Sequence, residues 1–193
     1  MKKMKLELKR ALFHIAICSA VILVSLKERI VWPLFFLLVA GIIISLISKR
    51  YSIPGVQWFL KNFEKPNYIR TFPGKGVLFL IAGCLLVLKL FPDNIAFAAI
   101  AILAIGDPVS HIISGNFRGK LLKKKSLSGL LLGIVLSSTA ASIFVTFAYA
   151  FTAAVFALAA EILIIKLGED PVDDNIIIPL VAGTILYLLM AYI

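Results

Sequence analysis

The chain has 193 residues, 61% of them hydrophobic and only 16% charged, with a formal net charge of +10 and a mean hydropathy of +1.03. A soluble domain carries roughly 25% charged and ~45–50% apolar residues, so an ordinary soluble fold is excluded, and the length suits one helical bundle with no separate soluble domain. The positive charge sits in short connections between apolar blocks, where membrane topology accounts for it without a nucleic-acid partner.

Seven apolar segments follow one another at about 11–26, 30–48, 76–92, 94–114, 129–149, 151–168 and 175–193. In lipid each must satisfy its own backbone hydrogen bonds, so each reads as a helix. The expected fold is all-α: a polytopic transmembrane helical bundle of about seven spans, forming a single integral membrane domain over 1–193. The amino end, basic and then apolar, has the outline of a signal peptide. No small-residue cleavage site follows, so it is expected to stay as the first span. Cys18 and Cys84 lie in separate apolar runs without metal-like spacing and read as small buried hydrophobes.

Between the second and third segments, residues 51–76 are polar, aromatic and proline-bearing, with a short amphipathic surface helix expected around 56–63. This stretch either simply connects two spans or guides a lipid substrate. From Gly129 to Ala160 there is no charge at all. One straight helix there would measure roughly 48 Å against a hydrocarbon core of ~30 Å, so a hairpin is expected, turning near Tyr149 between Phe147 and Phe151. Of the 20 basic residues, all but Lys27, Arg29 and Lys89 fall on one side of this arrangement. That asymmetry predicts a cytoplasmic N-terminus in a cell-membrane protein and, with seven spans, a carboxyl terminus outside.

Acidic residues are few, and Asp107, Glu161, Glu169, Asp170, Asp173 and Asp174 all fall toward the cytoplasmic half. A carboxylate inside a span costs roughly 2.5–3.5 kcal/mol on insertion scales and needs a reason. Asp107 stands between Gly106 and Pro108, a pattern that predicts a broken helix beside a carboxylate, suited to cations or phosphates; the plainer reading is a helix end facing water. Glu161 either pairs with Lys166 or Lys120 or joins Asp107 around a divalent cation. Asp173, Asp174 and Asn175 open the last segment, where one residue caps the helix while oxygen-rich neighbours suit Mg²⁺ with bound phosphates. The loop with Gly115, Arg118, Gly119, Lys120 and Lys125 either approaches anionic phosphates or anchors topology, and it is not a Walker A loop. Ser126 reads as a helix cap. His111, one turn beyond Asp107, is either a proton carrier or a hydrogen-bonded buried histidine. His14 is expected to have no polar company and is given no role.

These pieces, in order, resemble the membrane family of CTP-dependent polyprenol and dolichol kinases, diacylglycerol kinases and phytol kinases, related to phosphatidate cytidylyltransferases. The resemblance spans about 70–180. It rests on Phe72-Pro73-Gly74-Lys75-Gly76; on Gly106-Asp107 followed by Gly115-Asn116-Phe117-Arg118-Gly119-Lys120; on Lys125-Ser126-Leu127-Ser128-Gly129; and on Glu161 followed by Asp173-Asp174-Asn175 through Pro179. The family often has Ala where this chain has Pro108, and Glu-Gly-Ser where it has Ser128-Gly129-Leu130.

The resemblance implies transfer of a phosphoryl group from CTP to a dolichol-like or other lipid hydroxyl, with Mg²⁺ or another divalent cation as cofactor. Asp107, Glu161 and Asp174 would be catalytic, and Asp107, Asp173 and Asp174 would hold metal. Gly106, Gly115, Arg118, Gly119, Lys120, Lys125, Ser126 and Asn175 would bind the nucleotide. The partners implied are CTP, a lipid alcohol or lipid phosphate, and membrane lipids, with the site facing the cytoplasm. A nucleotidyltransferase making a CDP-lipid is the alternative enzyme, and an ion or small-solute transporter the alternative of another class.

Overall fold

A computed structural model describes residues 2–28, 30–64, 66–116, 126–163, 166–167 and 170–192. Among them are helices α1 (Lys2–Ser25), α2 (Val31–Ser48), α3 (Pro54–Phe63), α4 (Pro66–Thr71), α5 (Lys75–Leu90), α6 (Asp93–Asn116), α7 (Leu127–Ala141), α8 (Phe147–Leu163) and α9 (Asp174–Tyr192). The two-residue strands β1 (Lys166–Leu167) and β2 (Asp170–Pro171) pair antiparallel between α8 and α9.

Each of the seven apolar segments contains a long helix. Among the described residues, four stretches, Leu6–Ser25, Val31–Ser48, Asp93–Ser114 and Asp174–Ala191, are long and apolar enough to cross a membrane, the pattern of a multi-pass membrane protein. α7 and α8 have 15 and 17 residues, about 22 and 26 Å of helix, shorter than a full hydrocarbon core. The hairpin between them lies earlier than expected. The chain turns over residues 142–146, and Tyr149 is inside α8. Ser142 Oγ donates to the Thr139 carbonyl at 2.7 Å, taking up an acceptor at the end of α7.

α6 is the central helix. Ala96, Ala98, Ala99, Ile100, Ile102 and Leu103 are all fully enclosed, as expected of a helix apolar on every side. It packs against α1, α5, α7, α8 and α9. Pro108 does not break it: α6 runs on to Asn116, although Pro108 offers no amide to the Ala104 carbonyl. Such a proline is tolerated where surrounding helices hold the backbone in place.

The α6–α7 contact is a seam of small residues at four-residue spacing. Gly106, Ser110 and Ser114 of α6 meet Ser137, Gly133 and Gly129 of α7 in antiparallel order. A Cβ at Gly129 would stand 2.5 Å from Ser114 Oγ and 2.7 Å from the Ser110 carbonyl oxygen. Small residues let the two backbones approach this closely, as in membrane helix pairs generally.

α3 lies beside α1, with Phe13 edge-on to Phe59 at 5.2 Å and tilted against Phe63 at 4.6 Å between centroids. Trp58 is left exposed, so the expected amphipathic helix is present with slightly wider bounds. Cys18 and Cys84 are both fully buried, as small hydrophobes are.

Candidate active site

One face of α6 carries Asp107 and His111, a helical turn apart. His111 Nε2 lies 3.2 Å from Asp107 Oδ1 and 4.0 Å from Glu161 Oε1, which arrives from the last turns of α8. Asp174, at the start of α9, completes the group: one ligand atom from each of Asp107, His111, Glu161 and Asp174 falls within 4.8 Å of all the others. Glu161 is 5% exposed and Asp107 15%, whereas His111 is 41% exposed. The cluster is therefore closed toward the bundle and open along the imidazole. A donor set of three carboxylates and an imidazole fits a divalent cation, since oxygen ligands suit such ions and an imidazole nitrogen can complete the set.

The start of α9 is held by its own side chains and by α5. Asp173 Oδ1 accepts from the Asn175 backbone amide at 3.2 Å and from Asn175 Nδ2 at 2.8 Å, as a capping residue does. Asn175 Nδ2 also donates to the Gly76 carbonyl at 3.5 Å, and Asn175 Oδ1 is buried without a partner among the described residues. Gly74 turns the chain into α5 at φ +79°, a conformation that suits glycine. The next turn is tied down by Glu64, which is 3% exposed and whose Oε2 accepts from the Gly76 amide at 3.1 Å. The segment from Phe72 to Gly76 thus reaches the site indirectly, by fixing Asn175 beside Asp174.

The sequence expectations divide accordingly. The expected catalytic residues Asp107, Glu161 and Asp174 are brought together, and His111 joins them. Of the expected metal residues, Asp173 is not in that group and is engaged by Asn175. Ser126 caps α7: its Oγ accepts from the Gly129 amide at 3.1 Å, and its own amide donates to Ser114 Oγ at 2.8 Å. Gly106 lies in the α6–α7 seam, and Gly115 in the last turn of α6. Arg118, Gly119, Lys120 and Lys125 lie outside the described residues, as do the side chain of Lys166 and the residue Glu169.

Two residues were missed. Glu64 carries no sequence motif, although a lone acidic residue between two short helices and ahead of a glycine turn is a weak cue to a capping role. His14 needs a correction, because its polar company comes from α6. Its Nε2 is buried without a partner among the described residues, and it lies within electrostatic reach of Asp107, Arg10 and His111.

Comparison with known proteins bears on this geometry. No family model matches the chain, and no solved structure matches it. An uncharacterised protein of Methanocaldococcus jannaschii is 27% identical over 187 residues, covering 93% of this chain and 92% of that one. A CTP-dependent diacylglycerol kinase of Schizosaccharomyces pombe is 29% identical over 136 residues. This chain is similar to a CTP-dependent lipid kinase. The match covers 60% of each of the two proteins. An uncharacterised protein of Rickettsia prowazekii is 26% identical over 129 residues, covering 64% of this chain and 63% of its own length.

Proposed function

We propose that the chain is a membrane-embedded lipid kinase that moves the γ-phosphoryl group of CTP onto the hydroxyl of a lipid alcohol. The observation that carries this reading is the meeting of Asp107, Glu161 and Asp174, with His111, from three different helices at one end of the bundle. Similarity to a CTP-dependent diacylglycerol kinase supports the nucleotide and the lipid class. In this reading α1, α2 and α5 to α9 all cross the membrane, the N-terminus is cytoplasmic, and the site opens toward the cytoplasm. Lys9 and Arg10 toward the start of α1, Lys49 just after α2, Lys61 in the last turn of α3 and Lys75 at the start of α5 fall on one side of this alternating arrangement, which supports that orientation.

Phosphoryl transfer asks a protein mainly for alignment and for charge complementary to the phosphates. A divalent cation held by Asp107, Glu161, Asp174 and His111 would offset phosphate charge and polarise the transferring group. Glu161, enclosed by the bundle, gives that arrangement a rigid, water-poor floor. In this reading Arg118, Lys120 and Lys125, which follow α6 in the chain, supply positive charge to the nucleotide. A carboxylate of the cluster accepts the proton of the lipid hydroxyl as its oxygen bonds to the γ-phosphorus. The bond from that phosphorus to the β–γ bridging oxygen breaks, and CDP leaves.

The test is the fate of labelled CTP with purified protein, a divalent cation, and a panel of diacylglycerol, polyprenol, dolichol and phosphatidic acid. The kinase reading expects γ-label in a phosphorylated lipid, with CDP as co-product, and diacylglycerol is the first substrate to try. Pyrophosphate release that depends on a lipid phosphate, with no γ-label in any alcohol, would overturn it in favour of CDP-lipid synthesis.

A further inference from the structure

The carboxylates of the cluster would serve Mg²⁺, a small hard ion that binds through a few oxygens and keeps several waters. His111 is the departure from that pattern. Imidazole nitrogen is a borderline donor that suits first-row transition ions better than it suits Mg²⁺. We infer that this site takes a first-row transition divalent cation in preference to Mg²⁺, with His111 Nε2 as its nitrogen ligand beside Asp107, Glu161 and Asp174. The inference rests on reading the cluster as a cation site.

The separations of the donor atoms carry the argument. Carboxylate oxygen and imidazole nitrogen lie about 2.0–2.2 Å from such ions. Adjacent ligands around a six-coordinate ion are then about 3.0 Å apart and opposed ones about 4.3 Å. His111 Nε2 is 3.2 Å from Asp107 Oδ1 and 4.0 Å from Glu161 Oε1, and the outer limit of the whole group is 4.8 Å. Small side-chain rotations close the remaining few tenths of an ångström.

An Asp–His pair four residues apart on one helix would by itself be an ordinary surface contact. Here the same nitrogen is approached by side chains from α8 and α9 as well, which local helix geometry does not require. The partial exposure of His111 gives an ion a way in from the aqueous side, while Glu161 lies buried behind it. A second feature points the same way: Nε2 of His14 on α1 is buried and unpartnered among the described residues, and this imidazole interacts electrostatically with both Asp107 and His111. A simple helix cap explains neither the unsatisfied nitrogen nor the convergence of three helices.

The test uses the full chain in detergent or nanodiscs, with Mn²⁺ as the probe and neither CTP nor lipid present. Electron paramagnetic resonance follows the loss of the free Mn²⁺ signal, and its pulsed form detects nitrogen bound to the ion. The expected result is one bound Mn²⁺ showing imidazole-nitrogen modulation, displaced by Mg²⁺ only at an excess of about tenfold or more. His111→Gln should lose the modulation and bring the two ions to near parity, whereas His14→Gln should keep the modulation. Bound Mn²⁺ without nitrogen modulation, equal competition by Mg²⁺ in the unaltered protein, or no Mn²⁺ binding at millimolar concentration would each overturn the inference. Because no nucleotide is present, a failed phosphoryl-transfer assay leaves these spectra untouched, and the reverse also holds.

Discussion

Gly83 of α5 lies directly against the backbone of Asn175 in α9: a Cβ at position 83 would stand 2.0 Å from the Asn175 carbonyl oxygen and 3.3 Å from Pro179 Cγ. Pro179 has no amide to offer that carbonyl, so the oxygen is left out of the helical ladder where α5 comes closest. Any side chain at position 83 pushes on the backbone one residue after Asp174. Gly83→Ala should therefore lower stability by about 1–3 kcal/mol, outweighing the helix propensity that alanine adds. Gly55→Ala is the control, because a Cβ there meets nothing within 4 Å. Thermal unfolding followed by size-exclusion chromatography should show a lower midpoint for the first and little change for the second.

Asp107→Asn and Glu161→Gln keep size and hydrogen bonding but remove charge from the cluster. Each should reduce phosphoryl transfer by about 100-fold or more, while the protein still inserts and purifies. Asp173→Asn keeps an oxygen that can accept from the Asn175 amide and should cost less than about tenfold. Comparable losses for all three, measured with labelled CTP, would put Asp173 back among the reacting groups.

His14 of α1 holds its Nε2 buried and without a partner among the described residues. An unsatisfied buried nitrogen costs stability, so His14→Phe, which fills similar space without it, should leave stability unchanged or raise it by up to about 1 kcal/mol. A thermal midpoint clearly lowered by the phenylalanine variant would mean that the imidazole contributes a favourable interaction.

Topology can be read by thiol labelling, since the native Cys18 and Cys84 are fully enclosed and should give no background. Lys124→Cys should resist impermeant reagents in intact cells and react after permeabilisation. Lys27→Cys should react from outside. The opposite pattern would invert the proposed orientation.

Much of this was legible in the sequence because lipid leaves few backbone options, so the long apolar runs mark helices directly. The α7–α8 turn was misplaced because aromatic residues such as Phe147 and Tyr149 also favour membrane interfaces, and they mark depth rather than the bend itself. Pro108 suggested a break, but the packing that carries a helix through a proline comes from other helices and leaves no local trace. Asp107 and His111 were visible as neighbours at helical spacing. His14 was not, because Asp107, which lies within its electrostatic reach, is on a helix distant in sequence, as Asn175 is from Gly76.

The cluster draws on α6, α8 and α9, and this sets an order on its birth. As the helices emerge one after another from the ribosome, α6 arrives with Asp107 and His111 while Asp174 is still unsynthesised. That end of the bundle therefore has one carboxylate and an imidazole waiting while α7 and α8 are made. Only docking of α9, guided by Asn175 onto Gly76 and by the bare face of Gly83, closes the ring of donors. A nascent chain stalled before α9 would hold an intact-looking bundle with an incomplete centre, so competence arrives in one late step.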